Sequence, residues 1–414
     1  MTLVSKVRSR AARSGSMQQR TAGYGQIVLV LQGGGALGAY QSGVYHALHE
    51  AGIEPDWVIG TSIGAINAAL IVGNEPDDRL RALQEFWRRV TQRSIWDTLM
   101  MWPQMASGLS YWQALTSGIS GFYKPNPLAF LGPHVPLGSE KAGYYSTSEL
   151  QSTLEELVNF SLIRRNKPRL TVGAAQVRTS QMHYFDSHET EITAKHIMAS
   201  GALPPAFPAV RIDGELYWDG GILSNTPAEA IFDDHPRKNS LVFAVHMWNP
   251  VGPEPETIWD VLHRQKNIQY SSRVATHITR QAQIHRLRHI IKELAQHIPE
   301  TLRTREDIRE LTSYGCLTRM HFVRLLWPGH ESEDHTKDVD FTSAGIKKRW
   351  QAGYETTLRT IEQAPWQRKV DPIEGVFLHE PEDSIALEEM ATCDALPSQM
   401  APQADACTLS TKGR

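Results

Sequence analysis

Runs of apolar residues alternate with amphipathic segments in the first part of the chain. Residues 26–31 are almost all apolar and lead directly into glycines, which predicts a fully buried parallel strand. A helix is predicted over residues 37–51, a second strand over 56–59 and a second helix over 65–72. Two strand–helix units in succession predict an α/β sheet.

The pattern continues with further strands and also becomes helical and basic. Apolar runs predict a closing helix at residues 342–363 and strands at 170–177, 181–185, 241–246 and 320–327. Between residues 256 and 311, apolar positions recur at helical spacing among many Arg and Lys residues. Such a stripe favours either docking on the protein's own core or contact with a membrane surface.

A segment rich in aromatic and methionine residues interrupts this alternation. Residues 95–123 include Trp96, Trp102, Trp112 and Phe122 and are punctuated by glycine and proline. Adaptable apolar side chains of this kind suit a ligand surface or a lid, and ordinary core packing is the alternative.

Changes in composition divide the chain into five predicted segments. The first residues are basic without any acidic residue, and the last are rich in Pro, Ala, Ser and acidic residues with few large apolar ones. The segments are a disordered basic arm (1–23), an α/β core (24–253), a basic helical segment (254–317), a returning strand and closing helix (318–365) and a mostly disordered tail (366–414).

Charge and composition narrow the class of protein. The chain has 414 residues and a formal net charge of −3, so it lacks the positive field that nucleic-acid binding needs. Its three cysteines have neither metal nor redox spacing, and we expect no disulfide framework. The longest apolar stretch, residues 58–73, is too short for a transmembrane helix, and no secretory signal is evident. These features predict a cytoplasmic protein, with peripheral membrane contact left open.

A nucleophile elbow is predicted between the second strand and the second helix. Gly60, Ser62 and Gly64 have the G-x-S-x-G spacing of that motif. The sharp turn strains the backbone of the serine, and the flanking glycines leave room for it. We expect Ser62 to present its hydroxyl at the carboxyl end of the sheet, beside helix amides that favour negative charge.

A cluster of glycines follows the first strand. Gly33, Gly34, Gly35 and Gly38 leave backbone amides uncovered near the same edge of the sheet, as an oxyanion hole requires. The spacing also fits the dinucleotide-binding motif G-x-G-x-x-G. That motif expects an acidic residue at the end of the second strand, where this chain has its serine elbow, so a dinucleotide site is disfavoured.

A third motif is formed by Asp219, Gly220 and Gly221. An Asp-Gly-Gly sequence by itself is a turn. Combined with the elbow and the glycine cluster, however, the carboxylate becomes a candidate base for Ser62.

Together the three motifs resemble the bacterial branch of the patatin-like phospholipase family, over roughly residues 27–245. The resemblance implies a three-layer α/β/α hydrolase fold with a helical insertion or extension towards the C-terminus. It also implies a Ser–Asp dyad, with Ser62 as nucleophile and Asp219 as base, and oxyanion donors from residues 33–38, mainly Gly34 and Gly35. The implied substrate is a lipid or acyl ester, cleaved through an acyl-enzyme without cofactor or metal. Many members carry Lys or Arg in the glycine loop where this chain has Leu37, which leaves the contribution of that cation open.

Other functions stay open from the sequence. One is an esterase, thioesterase or transacylase acting on short-chain or hydroxyacyl substrates, and another is an inactive interaction protein with the same fold. A zinc hydrolase is poorly supported, because His285 and His289 have i, i+4 spacing but no general base between them. The sequence does not indicate an oligomeric state.

Overall fold

The computed structural model describes residues 21–91, 116–165, 167–329, 336–371 and 373–380. The strands in these ranges are β1 (Gln26–Leu31), β2 (Trp57–Thr61), β3 (Lys124–Pro125), β4 (Tyr145–Ser146), β5 (Arg169–Gln176), β6 (Gln181–Asp186), β7 (Val210–Ile212), β8 (Glu215–Asp219), β9 (Ser240–His246), β10 (Met320–Leu326) and β11 (Val376–His379). The helices are α1 (Ala39–Glu50), α2 (Ile63–Val72), α3 (Pro76–Val90), α4 (Ser148–Leu157), α5 (Phe160–Ile163), α6 (Ala194–Ser200), α7 (Glu229–Asp233), α8 (Ile258–His297), α9 (Glu300–Arg303), α10 (Glu306–Ser313) and α11 (Ser343–Gln363).

Nine of the described strands form one mixed sheet. Its order is β11-β10-β9-β1-β2-β5-β8-β7, and β6 also pairs with β5. The strands from β11 to β5 run parallel, whereas β6 and β8 are antiparallel to β5. In the register of the sheet Leu31 lies opposite both Gly60 and Val245. The segments that follow β1, β2 and β9 therefore leave the sheet at the same edge.

The side chains of β1 alternate between two hydrophobic cores. Val28 and Val30 pack in a cluster with Phe232 of α7 and Ile278 of α8. Leu29 and Leu31 belong to a larger cluster to which α1, α2, α3 and α11 contribute. A sheet that is buried on both faces needs the nearly continuous apolar runs seen in the sequence. The result is a three-layer α/β/α architecture.

The strand and helix predictions in the core are confirmed to within a few residues. At the first helix a 3₁₀ turn at Gly35–Gly38 precedes α1. The predicted basic helical region contains α8, which docks through buried Ile278, His285 and His289. Its residues Leu287 and Leu294 remain exposed. Within the described ranges, no helix combines the length and the apolar character that crossing a bilayer requires.

The prediction of a tail from residue 366 needs a correction. Trp366 is buried, and β11 pairs with β10 in parallel, with Val376 opposite Met320. Val376 and Phe377 are buried at the sheet edge, and two such residues suffice for a short edge strand. The composition of the whole segment concealed them, because composition averages over many polar residues. Residues 381–414 lie outside the described ranges.

Candidate active site

Ser62 lies at the tip of a strained turn between β2 and α2. Its backbone has φ 57° and ψ −125°, a conformation that costs a non-glycine residue on the order of 1–3 kcal/mol. The flanking glycines make the turn possible. A Cβ at Gly60 would lie 2.4 Å from the carbonyl oxygen of Gly64, and a Cβ at Gly64 would lie 2.2 Å from that of Leu31. The geometry is that of the predicted elbow.

Ser200, the last residue of α6, supports the elbow from the neighbouring layer. Its hydroxyl accepts a hydrogen bond from the amide of Ser62 at 2.9 Å and donates one to the carbonyl of Gly173 at 2.6 Å. Ser200 is fully buried. The amide of Ser62 is therefore committed to holding the turn and is not available to a bound substrate.

Asp219 ends β8 and is almost completely buried. The hydroxyl of Ser62 lies in the same pocket, close enough to this carboxylate to lower its pKa. The Oδ1 atom of Asp219 also accepts a hydrogen bond from the amide of Gly221 at 2.7 Å. Gly220 must be a glycine here, because a Cβ at that position would lie 2.5 Å from the carbonyl oxygen of Gly173 on β5. The close packing of β5 and the Gly220 turn thus brings the Asp219 carboxylate to Ser62.

Burial raises the pKa of Asp219 to about 6, while the hydrogen bonds from Ser62 and Gly221 act in the opposite direction. Desolvation disfavours the charged form of a carboxylate. A carboxylate with a raised pKa is a stronger base towards a hydroxyl than an exposed aspartate, and it is still ionised near neutral pH. The environment therefore suits Asp219 to accept a proton from Ser62.

The glycine loop divides into amides that are engaged and amides that are free. The amide of Gly33 donates to the carbonyl of Asn225 at 3.1 Å, so it is unavailable as an oxyanion donor. The amides of Gly34, Gly35 and Ile63 donate no hydrogen bond to any described residue, and all three residues line the same pocket as Ser62. Gly38 lies outside this pocket, and a Cβ there would be 2.5 Å from Cγ1 of Ile63.

Two side chains clamp the carbonyl of Gly33. Asn225 Nδ2 donates to it at 3.1 Å and Trp248 Nε1 at 2.8 Å. Both donor residues are buried. Their bonds hold the peptide groups before Gly34 in place, so that the free amides keep a fixed direction. By contrast Leu37 is fully buried in the core and does not reach the pocket.

A largely apolar pocket of about 190 Å³ opens at Ser62 and Asp219. Tyr270 lines this pocket. Burial, together with the neighbouring charge of Asp219, raises the pKa of Tyr270 to about 12. The other apolar and aromatic lining residues of the pocket are Ile63, Ile66, Phe122, Tyr123, Tyr145, Leu203, Ala206, Phe207, Trp248, Val339 and Phe341. Phe122 belongs to the predicted aromatic surface, of which residues 95–115 lie outside the described ranges.

The pocket has no histidine among its described lining residues. His246 lies at the end of β9, where burial lowers its pKa to about 3. His285 and His289 are on α8, and Nε2 of His285 is hydrogen-bonded to the carbonyl of Thr318 at 2.8 Å. No group of three or more His, Cys, Asp or Glu residues with metal-binding geometry occurs in the part of the chain that is described.

Several site residues had no role in the sequence analysis. Ser200 and Asn225 lie near the Asp219 motif, but only the tertiary structure shows what they hold. Trp248 follows the end of β9, and a position just beyond a parallel strand is a signal that could have indicated it. Tyr270 and Asp338 line the pocket from segments that carry no recognisable motif.

Two family models match the chain. A family model described as Patatin-like phospholipase matches residues 29–232, and one described as Patatin phospholipase matches residues 268–373. Together the two models cover well over half of the chain.

Individual relatives are distant. An uncharacterized NTE family protein of Mycobacterium tuberculosis is 27% identical over 221 residues, which are 53% of this chain and 30% of that protein. Lysophospholipase NTE1 of Meyerozyma guilliermondii is 28% identical over 202 residues, 49% of this chain and 11% of that protein. The chain thus spans less than a third of the length of these relatives. The crystal structure of VipD from Legionella pneumophila aligns with 90% of this chain and 74% of that one, at 15% identity and a TM-score of 0.37.

Proposed function

This chain belongs to the patatin-like phospholipase family, and from that membership we propose that it is a serine hydrolase of lipid carboxylic esters. The observation that carries the proposal is that Ser62 and the buried Asp219 lie together in the lining of an apolar pocket, close enough for the hydroxyl to lower the pKa of the carboxylate. The raised pKa of Asp219 and the free amides of Gly34, Gly35 and Ile63 support it.

In the proposed acylation step the Oγ atom of Ser62 attacks the ester carbonyl carbon while Asp219 takes the hydroxyl proton. The carbonyl oxygen becomes an oxyanion, which the free amides of Gly34, Gly35 and Ile63 stabilise. The tetrahedral intermediate then collapses, and Asp219 returns the proton to the departing alcohol. A water molecule then attacks the carbonyl carbon of the acyl-enzyme while Asp219 takes its proton. Collapse of this second intermediate releases the fatty acid, and the proton returns to Ser62.

The lining of the pocket supports an aliphatic acyl chain as the bound group. Its aromatic and branched side chains offer apolar contact, and its charged members among the described residues are Asp219 and Asp338. A carboxylate disfavours an anionic group at either place. We therefore propose that the pocket holds the uncharged acyl chain and that the alcohol or headgroup lies towards solvent.

A fluorophosphonate probe tests the proposal directly, because it phosphonylates activated serines. We expect the parent chain to be labelled and to hydrolyse lysophospholipid or glyceride esters, and we expect Ser62→Ala to do neither. Ser42→Ala, at another buried serine, is the matched control and should keep both activities. An unlabelled parent chain would instead favour an interaction protein. A screen over acyl length and headgroup then distinguishes a lipid hydrolase from a short-chain esterase.

A further inference from the structure

The segment that precedes α11 crosses from the C-terminal part of the chain to the glycine loop. The carbonyl of Asp338 accepts a hydrogen bond from the amide of Ala36 at 2.8 Å. Gly35 has φ +56°, and a Cβ there would lie 2.2 Å from that carbonyl oxygen. The contact therefore fixes the backbone on the C-terminal side of the free amides of Gly34 and Gly35.

A second contact from the same segment reaches the other side of the loop. The ammonium of Lys337 lies 5.0 Å from the ring centroid of Trp248, within cation–π range. The same ammonium donates to Oδ1 of Asn267 on α8 at 2.8 Å. Lys337 and Asn267 are both buried, at 5% and 7% exposure, so neither group is held by solvent.

Trp248 links this buried ammonium to the candidate oxyanion hole. Its indole Nε1 donates to the carbonyl of Gly33, and its ring lies 4.9 Å from that of Tyr270. Holding the ring therefore holds the Gly33 carbonyl and, with it, the following amide of Gly34. Because an oxyanion hole works through donors fixed in advance, a small displacement of these amides weakens it.

We propose that Lys337 is a positioning residue for the hydrolysis, which acts through Trp248 on the glycine loop (residues 33–38). In this proposal Asn267 holds the ammonium of Lys337 in place. The inference rests on the proposed function. It assigns to α8 and to the segment before α11 a role in building the active site. Lys337 itself does not line the described pocket, so it acts through another residue and does not touch the substrate.

The test is steady-state hydrolysis of a soluble ester by the full chain, with active sites counted by the fluorophosphonate probe. Lys337→Met keeps the aliphatic stem and removes the charge. We expect kcat to fall about tenfold, less than the loss of a whole oxyanion donor, while KM stays unchanged. The affinity of an alkyl boronic acid, which forms a tetrahedral anion on the serine, should fall by the same factor. Lys347→Met removes an exposed lysine on α11 and should leave all three quantities unchanged.

A pair of substitutions at Asn267 separates positioning from loss of fold. Asn267→Asp keeps an oxygen acceptor for the ammonium and should retain kcat, whereas Asn267→Leu removes it and should reproduce the Lys337→Met result. If Lys337→Met does not fold, this pair decides the question. Unchanged kcat and boronate affinity in Asn267→Leu, or an equal loss in Asn267→Asp, would overturn the inference. Neither outcome would contradict the proposed function. That proposal fails if the fluorophosphonate probe does not label the parent chain.

Discussion

The hydroxyl of Ser200 accepts a hydrogen bond from the backbone amide of Ser62 at 2.9 Å, so a buried serine on α6 holds the strained backbone of the candidate nucleophile. The bond joins two layers of the fold, because Ser200 also donates to Gly173 on β5. It explains how a non-glycine residue keeps a positive φ at this position.

Replacing Ser200 should affect both stability and turnover. Ser200→Ala leaves the buried Ser62 amide and the Gly173 carbonyl without this partner, which costs about 1–3 kcal/mol of unfolding free energy. We also expect kcat to fall, because the serine hydroxyl loses its fixed direction. Denaturant unfolding and ester hydrolysis measure the two effects.

Ser240→Ala is the matched control for that experiment. Ser240 is equally buried and also donates to a backbone carbonyl, that of Lys238 at 3.0 Å, but it lies at the opposite end of the sheet. It should lower stability and leave kcat intact. A Ser200→Ala protein with parental turnover would show that the elbow keeps its conformation without this bond.

The pH dependence of turnover should follow the ionisation of Asp219. Because burial raises its pKa to about 6, kcat/KM should rise with pH through that value and then level off. A histidine would give a limb at a similar pH. An organic cosolvent distinguishes the two, since ionising a neutral carboxylic acid creates charge and its pKa rises, whereas an imidazolium only loses charge. We expect the limb to move upwards with cosolvent.

Substitutions test the same assignment. Asp219→Asn should be nearly as inactive as Ser62→Ala, while His46→Ala, His183→Ala and His246→Ala should keep most of the turnover. If a folded histidine variant lost its activity, the site would contain a catalytic triad and not a Ser–Asp dyad.

Asp219 should also cost the protein stability where it is ionised. Its pKa in the folded chain is raised from 3.8 to about 6, so the folded state binds more protons than the unfolded state between these values. The free energy of unfolding therefore falls as pH rises through this window, by an amount on the order of 3 kcal/mol. Asp219→Asn lacks this penalty and should be more stable than the parent above about pH 6. The difference should shrink towards about pH 4, and a difference that does not vary with pH would contradict the raised pKa.

Gly35 should tolerate no side chain. Gly35→Ala would place a Cβ against the carbonyl oxygen of Asp338 and would also strain the positive φ. We expect hydrolysis of a soluble ester to fall about 10²–10³-fold, the usual cost of a lost oxyanion donor. Gly214→Ala is the matched control, because Gly214 has φ +87° and a Cβ there would meet no atom within 4 Å. This variant has the same backbone strain and should retain activity. Hydrolysis at the parental rate by Gly35→Ala would show that this loop does not form the oxyanion hole.

The sheet could be predicted from the sequence because its signals are local. Val28 and Leu29 face opposite cores, so β1 must be apolar throughout, and the same holds for β9. The edge strand β11 was missed because only Val376 and Phe377 distinguish it within a polar segment. The strained turn at Ser62 was predictable for the same local reason, since the glycines on either side of Ser62 are required by that turn.

The sequence by itself determined most of the core strands and helices, the turn at Ser62 and the glycines that surround it, since each of these depends on residues close together in the chain. Only the tertiary structure decided which partners these residues have. The carboxylate of Asp219 meets a hydroxyl 157 positions earlier in the sequence, and Gly33 is held by Asn225 and Trp248. Contacts of this kind arise when segments far apart in the chain pack together. The entropy cost of closing such long loops is offset by burial of apolar surface over the whole core. For this reason no local sequence pattern predicts these contacts.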